Sequence, residues 1–170
     1  INLDSTSNGF IFAAAGSVQG AGGTFFRSDV TIFNHRDIDQ DVAIGFLAQG
    51  ADNSVEPLHI FTFDANTPVI QRDLVGFLGK SGLGTILVLA VDANGAPDPD
   101  GLIDGFSRIW TAQPGAAGTV SQGFPSVSLL DSSGSIAASA LGLRHDSGFR
   151  TNVGIVNLDT VAEHTWTVEV

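Results

Sequence analysis

Five oxygen-bearing side chains fall within a short stretch, at Asp92, Asn94, Asp98, Asp100 and Asp104, on a segment made pliable by Gly95 and Gly101. Calcium takes about six to eight oxygen ligands on a tightly turned backbone, and Asp98-x-Asp100-Gly101-x-x-Asp104 supplies part of such a set. The spacing is not that of an EF-hand. Counted from Asp92, the fifth position is Ala96 and the twelfth Ile103, where a ligand and a bidentate glutamate belong. The same composition also suits a proline-stiffened turn whose aspartates cap backbone N–H groups. The loop therefore carries two readings, a hydrated turn or a structural calcium site, and no other cofactor is indicated.

The remaining candidates for chemistry are weaker. Gly79-Lys80-Ser81 resembles the end of a phosphate-binding loop, but the first glycine of that motif would have to stand where Leu74 does. His35, His59, His145 and His164 are isolated, with no His-Glu-x-x-His and no Gly-x-Ser-x-Gly elbow. A hydrolase would need a site assembled from distant loops. With no cysteine, thiolate catalysis, disulfides and cysteine-held metals drop out. The expectation is a protein that is not an enzyme.

An internal repeat says more. Phe26-Arg27-Ser28-Asp29-Val30-Thr31-Ile32-Phe33-Asn34 returns as Phe149-Arg150-Thr151-Asn152-Val153-Gly154-Ile155-Val156-Asn157. With one extra loop residue in the second copy, Val42, Ile44 and Phe46 align with Trp166, Val168 and Val170, so each copy reads as strand, polar loop, strand. On a strand, positions i and i+2 share a face. Arg27 can then pair with Asp29 and Arg150 with Asn152, a repetition that favours structural roles. Asn34 and Asn157 close each first strand, where an asparagine can bond its own loop.

Around these residues the chain alternates short apolar runs with glycine- and proline-rich turns. Phe10-Ile11-Phe12-Ala13-Ala14-Ala15 precedes the flexible Gly20-Ala21-Gly22-Gly23. Residues 26–34 and 41–48 make the first repeated pair, expected as an antiparallel hairpin across the loop 35–40. Leu58–Phe63 is a further strand, and Thr85–Val91, apolar throughout and rich in β-branched residues, should be buried on both faces at the centre of a sheet. Leu74, Val75, Phe77 and Leu78 fall at helical spacing before Gly79, which predicts one short helix near residues 70–79. Strands are also expected at 105–112, 118–123, 126–130 and 135–143. The fold class is all-β, an antiparallel β-sandwich of immunoglobulin-like or jelly-roll-like type. Residues 1–22 read as an N-terminal arm carrying a possible donor strand at 10–15. Residues 23–170 read as a single sandwich domain containing the strand pairs 26–48 and 149–170.

Composition bounds the setting. The 170 residues suit one domain with its own core. A net charge of -11 with a single lysine, Lys80, would repel a phosphate backbone, which argues against a nucleic-acid partner. No apolar run approaches the roughly 20 residues of a membrane span. A chain without methionine that starts at Ile1 reads as a processed form that has lost a secretion signal, and the expected location is extracellular or at the cell surface. Tyrosine is absent and the twelve phenylalanines suit a core, which weakens a lectin reading while leaving a carbohydrate ligand compatible.

The segments 27–34, Ser107-Arg108-Ile109-Trp110-Thr111, Gly142-Leu143-Arg144 and 149–157 together resemble a group of secreted bacterial modules of immunoglobulin-like β-sandwich type. The resemblance spans most of the chain after Gly22. It implies a fold and an extracellular address, with no activity and no catalytic residues.

From these observations the expected function is a non-enzymatic structural subunit of an extracellular bacterial assembly, a filament or surface layer. It would be a homo-oligomer or polymer joined by strand addition, with Phe10, Ile11, Phe12, Ala13, Ala14 and Ala15 as the donor. That run could equally pair within its own sandwich. The alternative is a monomeric adhesion or binding domain from a larger secreted protein, stabilised by calcium.

Overall fold

The apolar run 85–91 is the middle of a long strand with a partner on each side, and the rest of the fold can be built outward from it. A computed structural model describes residues 8–129, 143–144, 146–148, 151, 153–158, 164–165 and 167. Among these are nine strands: β1 (Gly9–Gln19), β2 (Phe25–Asn34), β3 (Gln40–Ala48), β4 (His59–Phe63), β5 (Pro68–Gln71), β6 (Gly82–Val91), β7 (Ile103–Ala112), β8 (Thr119–Pro125) and β9 (Val127–Ser128). One short helix, α1 (Leu74–Phe77), lies between β5 and β6.

Every pairing is antiparallel, and the hydrogen-bonded order is β4-β3-β6-β1-β2-β7-β8, with β5 on β2 and β9 on β1. The sheet folds back on itself at β1. The body of that strand pairs with β6, from Gly9 opposite Leu89 to Ser17 opposite Gly82, with a register shift between Phe12 and Ala15. Its last two residues then pair with Phe25 and Phe26 of β2. One layer is thus β4-β3-β6-β1-β9 and the other β5-β2-β7-β8.

The inward residues follow from alternation. Phe10, Phe12, Val42, Ile44, Phe46, Ile86, Val88 and Ala90 from the first layer meet Val30, Ile32 and Ile103 from the second in one cluster, and Leu74, Val75 and Leu78 close one side of it. Phe10 and Phe12 stand edge to face with centroids 5.3 Å apart. Gly105 leaves the room they need, because a Cβ there would lie 2.7 Å from the Thr31 carbonyl oxygen and 2.9 Å from the Phe12 ring. This is the expected antiparallel β-sandwich with its one short helix.

Several boundaries and connections differ from expectation. The run 10–15 is not an arm but the first part of a strand inside its own sandwich, the alternative left open by the sequence. Two buried phenylalanines and a ladder to β6 hold it there. β2 and β3 do not form a hairpin. The turn between them crosses from one layer to the other, and β2 pairs instead with β7, from Arg27 opposite Trp110 to Asn34 opposite Ile103. Asn34 makes the crossing: its amide donates to the carbonyls of Ile38, Phe63 and Asp64 at 2.9, 3.2 and 3.1 Å, and its Oδ1 accepts the Arg36 N–H. α1 is a single turn. Asp73, at φ 45°, caps its start, and Gly79, at φ 72°, ends it with bonds from Gly79 N to Gly76 O and Lys80 N to Val75 O. The strand expected at 135–143 and most of the second repeat pair fall outside the described residues, while residues 151 and 153–157, expected in the first strand of that pair, are described and lie in no strand.

Candidate functional site

Two surfaces collect the polar and exposed apolar side chains that could meet a partner. The first is the outer face of the β2–β7 layer, where strand register sets Arg27 opposite Trp110 and Asp29 opposite Arg108. Asp29 bonds Arg108 at 3.1 Å, while Arg27 turns away to Asp73 at 3.7 Å. The side-by-side pair of Arg27 with Asp29 is therefore replaced by two cross-element pairs. Same-face neighbours along a strand stand about 7 Å apart, whereas the residue directly opposite on the next strand is closer. Arg150 and Asn152, the corresponding pair of the second copy, lie outside the described residues.

Asp29 also accepts the backbone N–H of Asp73 at 3.1 Å, and Ser17 donates to the Asp73 carboxylate at 3.3 Å. Burial pushes the Asp29 carboxyl up. The Trp110 indole, the Asp73 N–H and the Arg108 guanidinium together outweigh that and hold it below the usual aspartate range. The indole nitrogen of Trp110 is itself buried and stops short of good hydrogen-bond geometry. Both guanidiniums lie over aromatic rings, Arg27 4.6 Å from Phe25 and Arg108 5.7 Å from Trp110. A shallow hollow of about 300 Å³ beside Phe25 and Arg27 is floored by Thr111 and rimmed by Gly22, Gly23 and Gln113.

The Asp-rich loop is organised as a turn. Asp92 Oδ1 accepts the N–H groups of Asn94 and Ala96, and Asp98 Oδ1 accepts that of Asp100. These bonds come first among the causes that lower both carboxyls. Asp98 Oδ2 is taken by Arg36 at 2.8 Å, and Asp104 lies 3.1 Å from His35 Nε2, one strand away. Asp92, Asn94, Asp98, Asp100 and Asp104 are therefore spread over separate contacts. Among the described residues no group of three or more histidines, aspartates or glutamates converges as metal ligands.

The second surface is a cleft on the inner face of β8, which sequence reasoning missed. Alternation turns Val120, Gln122 and Phe124 toward the interior, where they meet Ile109 of β7 and Phe26 of β2 around a space of about 260 Å³. Among the described residues nothing closes over Val120, which is 56% exposed. Among the described residues β8 is hydrogen-bonded along one edge only, to β7. It carries no charged side chain. Exposed strand edges are ordinarily blunted with charge, and β8 has only its terminal Pro125 to do so. The signal was available in the apolar side chains at 120 and 124, two of the three alternate positions on one face of an uncharged strand. What hid it is that alternation alone cannot tell a covered face from an open one. By contrast Phe10, Ile11, Phe12, Ala13, Ala14 and Ala15 belong to a strand laddered to β6, with Phe10 and Ile11 paired on both sides.

No known protein family matches this chain, and no curated protein matches it. Among solved structures, the crystal structure of Thermotoga maritima 1070 is similar over 69% of this chain and 92% of its own, at 11% identity and a TM-score of 0.47. A likeness at that level carries no argument about function.

Proposed function

We propose that this protein is a non-enzymatic structural subunit of an extracellular assembly, built by adding a strand from one sandwich to the open side of another. The observation that carries the reading is the cleft beside β8. An uncharged edge adjoins an apolar hollow lined by Phe26, Ile109, Val120 and Phe124, which is what an incoming strand with alternate apolar side chains requires. The charged side chains support it from the other direction. Asp29, Asp73, Arg108, Arg36 and Asp98 knit one element to another instead of lining a pocket. The test is sedimentation and negative-stain electron microscopy across concentration. Ordered filaments, sheets or defined oligomers are expected, and uniform monomers at every concentration would refute the proposal.

A second reading, a binding or adhesion domain, is favoured by the outer face, where half-exposed Arg27 lies against Phe25 beside the hollow near Thr111. Aromatic rings with a flanking guanidinium suit the faces and hydroxyls of an oligosaccharide. Titration with such oligosaccharides, compared between the protein and Arg27→Ala, tests it. Equal binding by both, or none by either, would remove it.

A further inference from the structure

The placement of β2 gives the repeat a meaning that the sequence alone does not. Along β2, Ser28, Val30, Ile32 and Asn34 are buried and the residues between them are not. Of the five positions identical in the second copy, Phe26, Val30, Ile32 and Asn34 belong to that inward series, and Ser28 becomes Thr151. Of the outward residues Arg27 is kept, and Asp29, Thr31 and Phe33 change. What the repeat keeps is the side of a strand that enters a core.

The second copy also repeats a specific bond. Ser28 Oγ accepts the Gly16 N–H at 2.8 Å and donates to the Gly16 carbonyl at 3.2 Å, clasping one residue of the neighbouring strand. Thr151 Oγ1 accepts the Arg144 N–H at 3.2 Å and donates to the Arg144 carbonyl at 2.9 Å. The same hydroxyl clasp therefore fixes both segments. Beyond it the two differ in burial. Val30 and Ile32 are 1% and 3% exposed, whereas Val153 and Ile155 are 60% and 50% exposed. A segment with the inward side chains of a core strand thus presents them to solvent.

We infer that the segment from Thr151 to Asn157 is the strand lent by one molecule to the open cleft beside β8 of a second copy of this chain. The inference rests on the assembly reading above and names its donor. Val153 and Ile155 are exposed in one copy, as is Val120 beside its cleft, and among the described residues no segment is seated in that cleft. Val153 and Ile155 enter the hollow between Val120 and Phe124, and alternate residues of the donor fill it as alternate residues of a strand do. Charge does not oppose the contact. Residues 119–125 are uncharged, and the only charge in residues 149–157 is Arg150, so no like charges meet at the contact itself.

Two variants of the full chain test this, the donor variant V153D/I155D and the acceptor variant V120D. All three positions are solvent-exposed, so folding should survive, as circular dichroism and melting temperature would verify. Each variant alone is expected to sediment as a monomer, its self-association weakened by at least about a hundredfold because a carboxylate must enter an apolar cleft. Mixed together they are expected to form a one-to-one complex, since one retains an intact donor and the other an intact cleft. If the wild type assembles and V153D/I155D assembles equally well, this donor is wrong while the assembly reading stands. Monomeric variants that fail to recombine would also overturn it. A wild type that never assembles removes the assembly reading itself.

Discussion

The carboxylate of Asp29 accepts the backbone N–H of Asp73 at 3.1 Å, and this one bond ties the middle of β2 to the left-handed residue that starts α1. Asp73 at φ 45° is in a region that costs a non-glycine residue about 1 kcal/mol or more. Bonds from Asp29, Ser17 and Gly76 hold it there.

Acid should therefore loosen this junction. Asp29 has a folded pKa below its unfolded value, so its contribution is full above the ordinary aspartate range near about 3.9 and is lost as pH falls through the lower, folded value. Asp29→Asn should reduce stability at neutral pH by on the order of 1 kcal/mol, because its partner Arg108 is half exposed, and should make the acid limb of the stability profile shallower. Chemical denaturation from about pH 2 to about pH 7, the span over which the aspartates titrate, measures both effects. Parallel profiles would contradict the assignment.

Asn34 should be among the costliest polar residues to lose. Asn34→Ala strands three carbonyls and the Arg36 N–H at the crossing between layers. The expected loss is about 3 kcal/mol, or roughly 10 °C in melting temperature. Asn34→Asp should be worse, since it sets a carboxylate against those same oxygens. Calorimetry on the two variants would show the order.

Gly105 is expected to resist even the smallest enlargement. A methyl group there meets the Thr31 carbonyl and both rings of the Phe10–Phe12 pair. Gly105→Ala should cost about 3 kcal/mol, and a melting temperature near that of the wild type would show that the layers can part to admit it.

The Asp-rich loop gives a prediction about metal. The carboxylates of Asp92 and Asp98 are held by backbone N–H groups and by Arg36, so the melting temperature should be the same in millimolar calcium and in chelator. A rise with calcium, fitted to a binding isotherm, would show that the loop reorganises around an ion.

The strands were legible wherever alternation or a β-branched run was long, as in β6 and β7, and α1 was legible from its apolar spacing and Gly79. β5 was not, because Pro68-Val69-Ile70-Gln71 is too short to show a period. The partner of β2 was misjudged for another reason. A polar loop of a few residues serves a hairpin and a crossing between layers equally well, and only the Asn34 bonds to Phe63 and Asp64, about thirty residues on, decide between them. The same holds for Asp29, whose neighbour along the chain was visible but whose closer cross-strand neighbour, Arg108, belongs to a strand far along the chain. The repeat itself was plain in sequence. That it preserves an inward face became visible only once β2 had an inside.

The place of β1 also bears on how the chain reaches this state. The strand made first lies between others, and its main partner, β6, ends at Val91, while β2 waits for β7, which begins at Ile103. A ribosome releases the N-terminal side first, so Phe10 and Phe12 must stay uncovered at least until β6 has emerged. Such long-range pairing is slow and leaves sticky intermediates. The partly made chain should therefore be prone to aggregate, and its folding should begin late and involve both layers together.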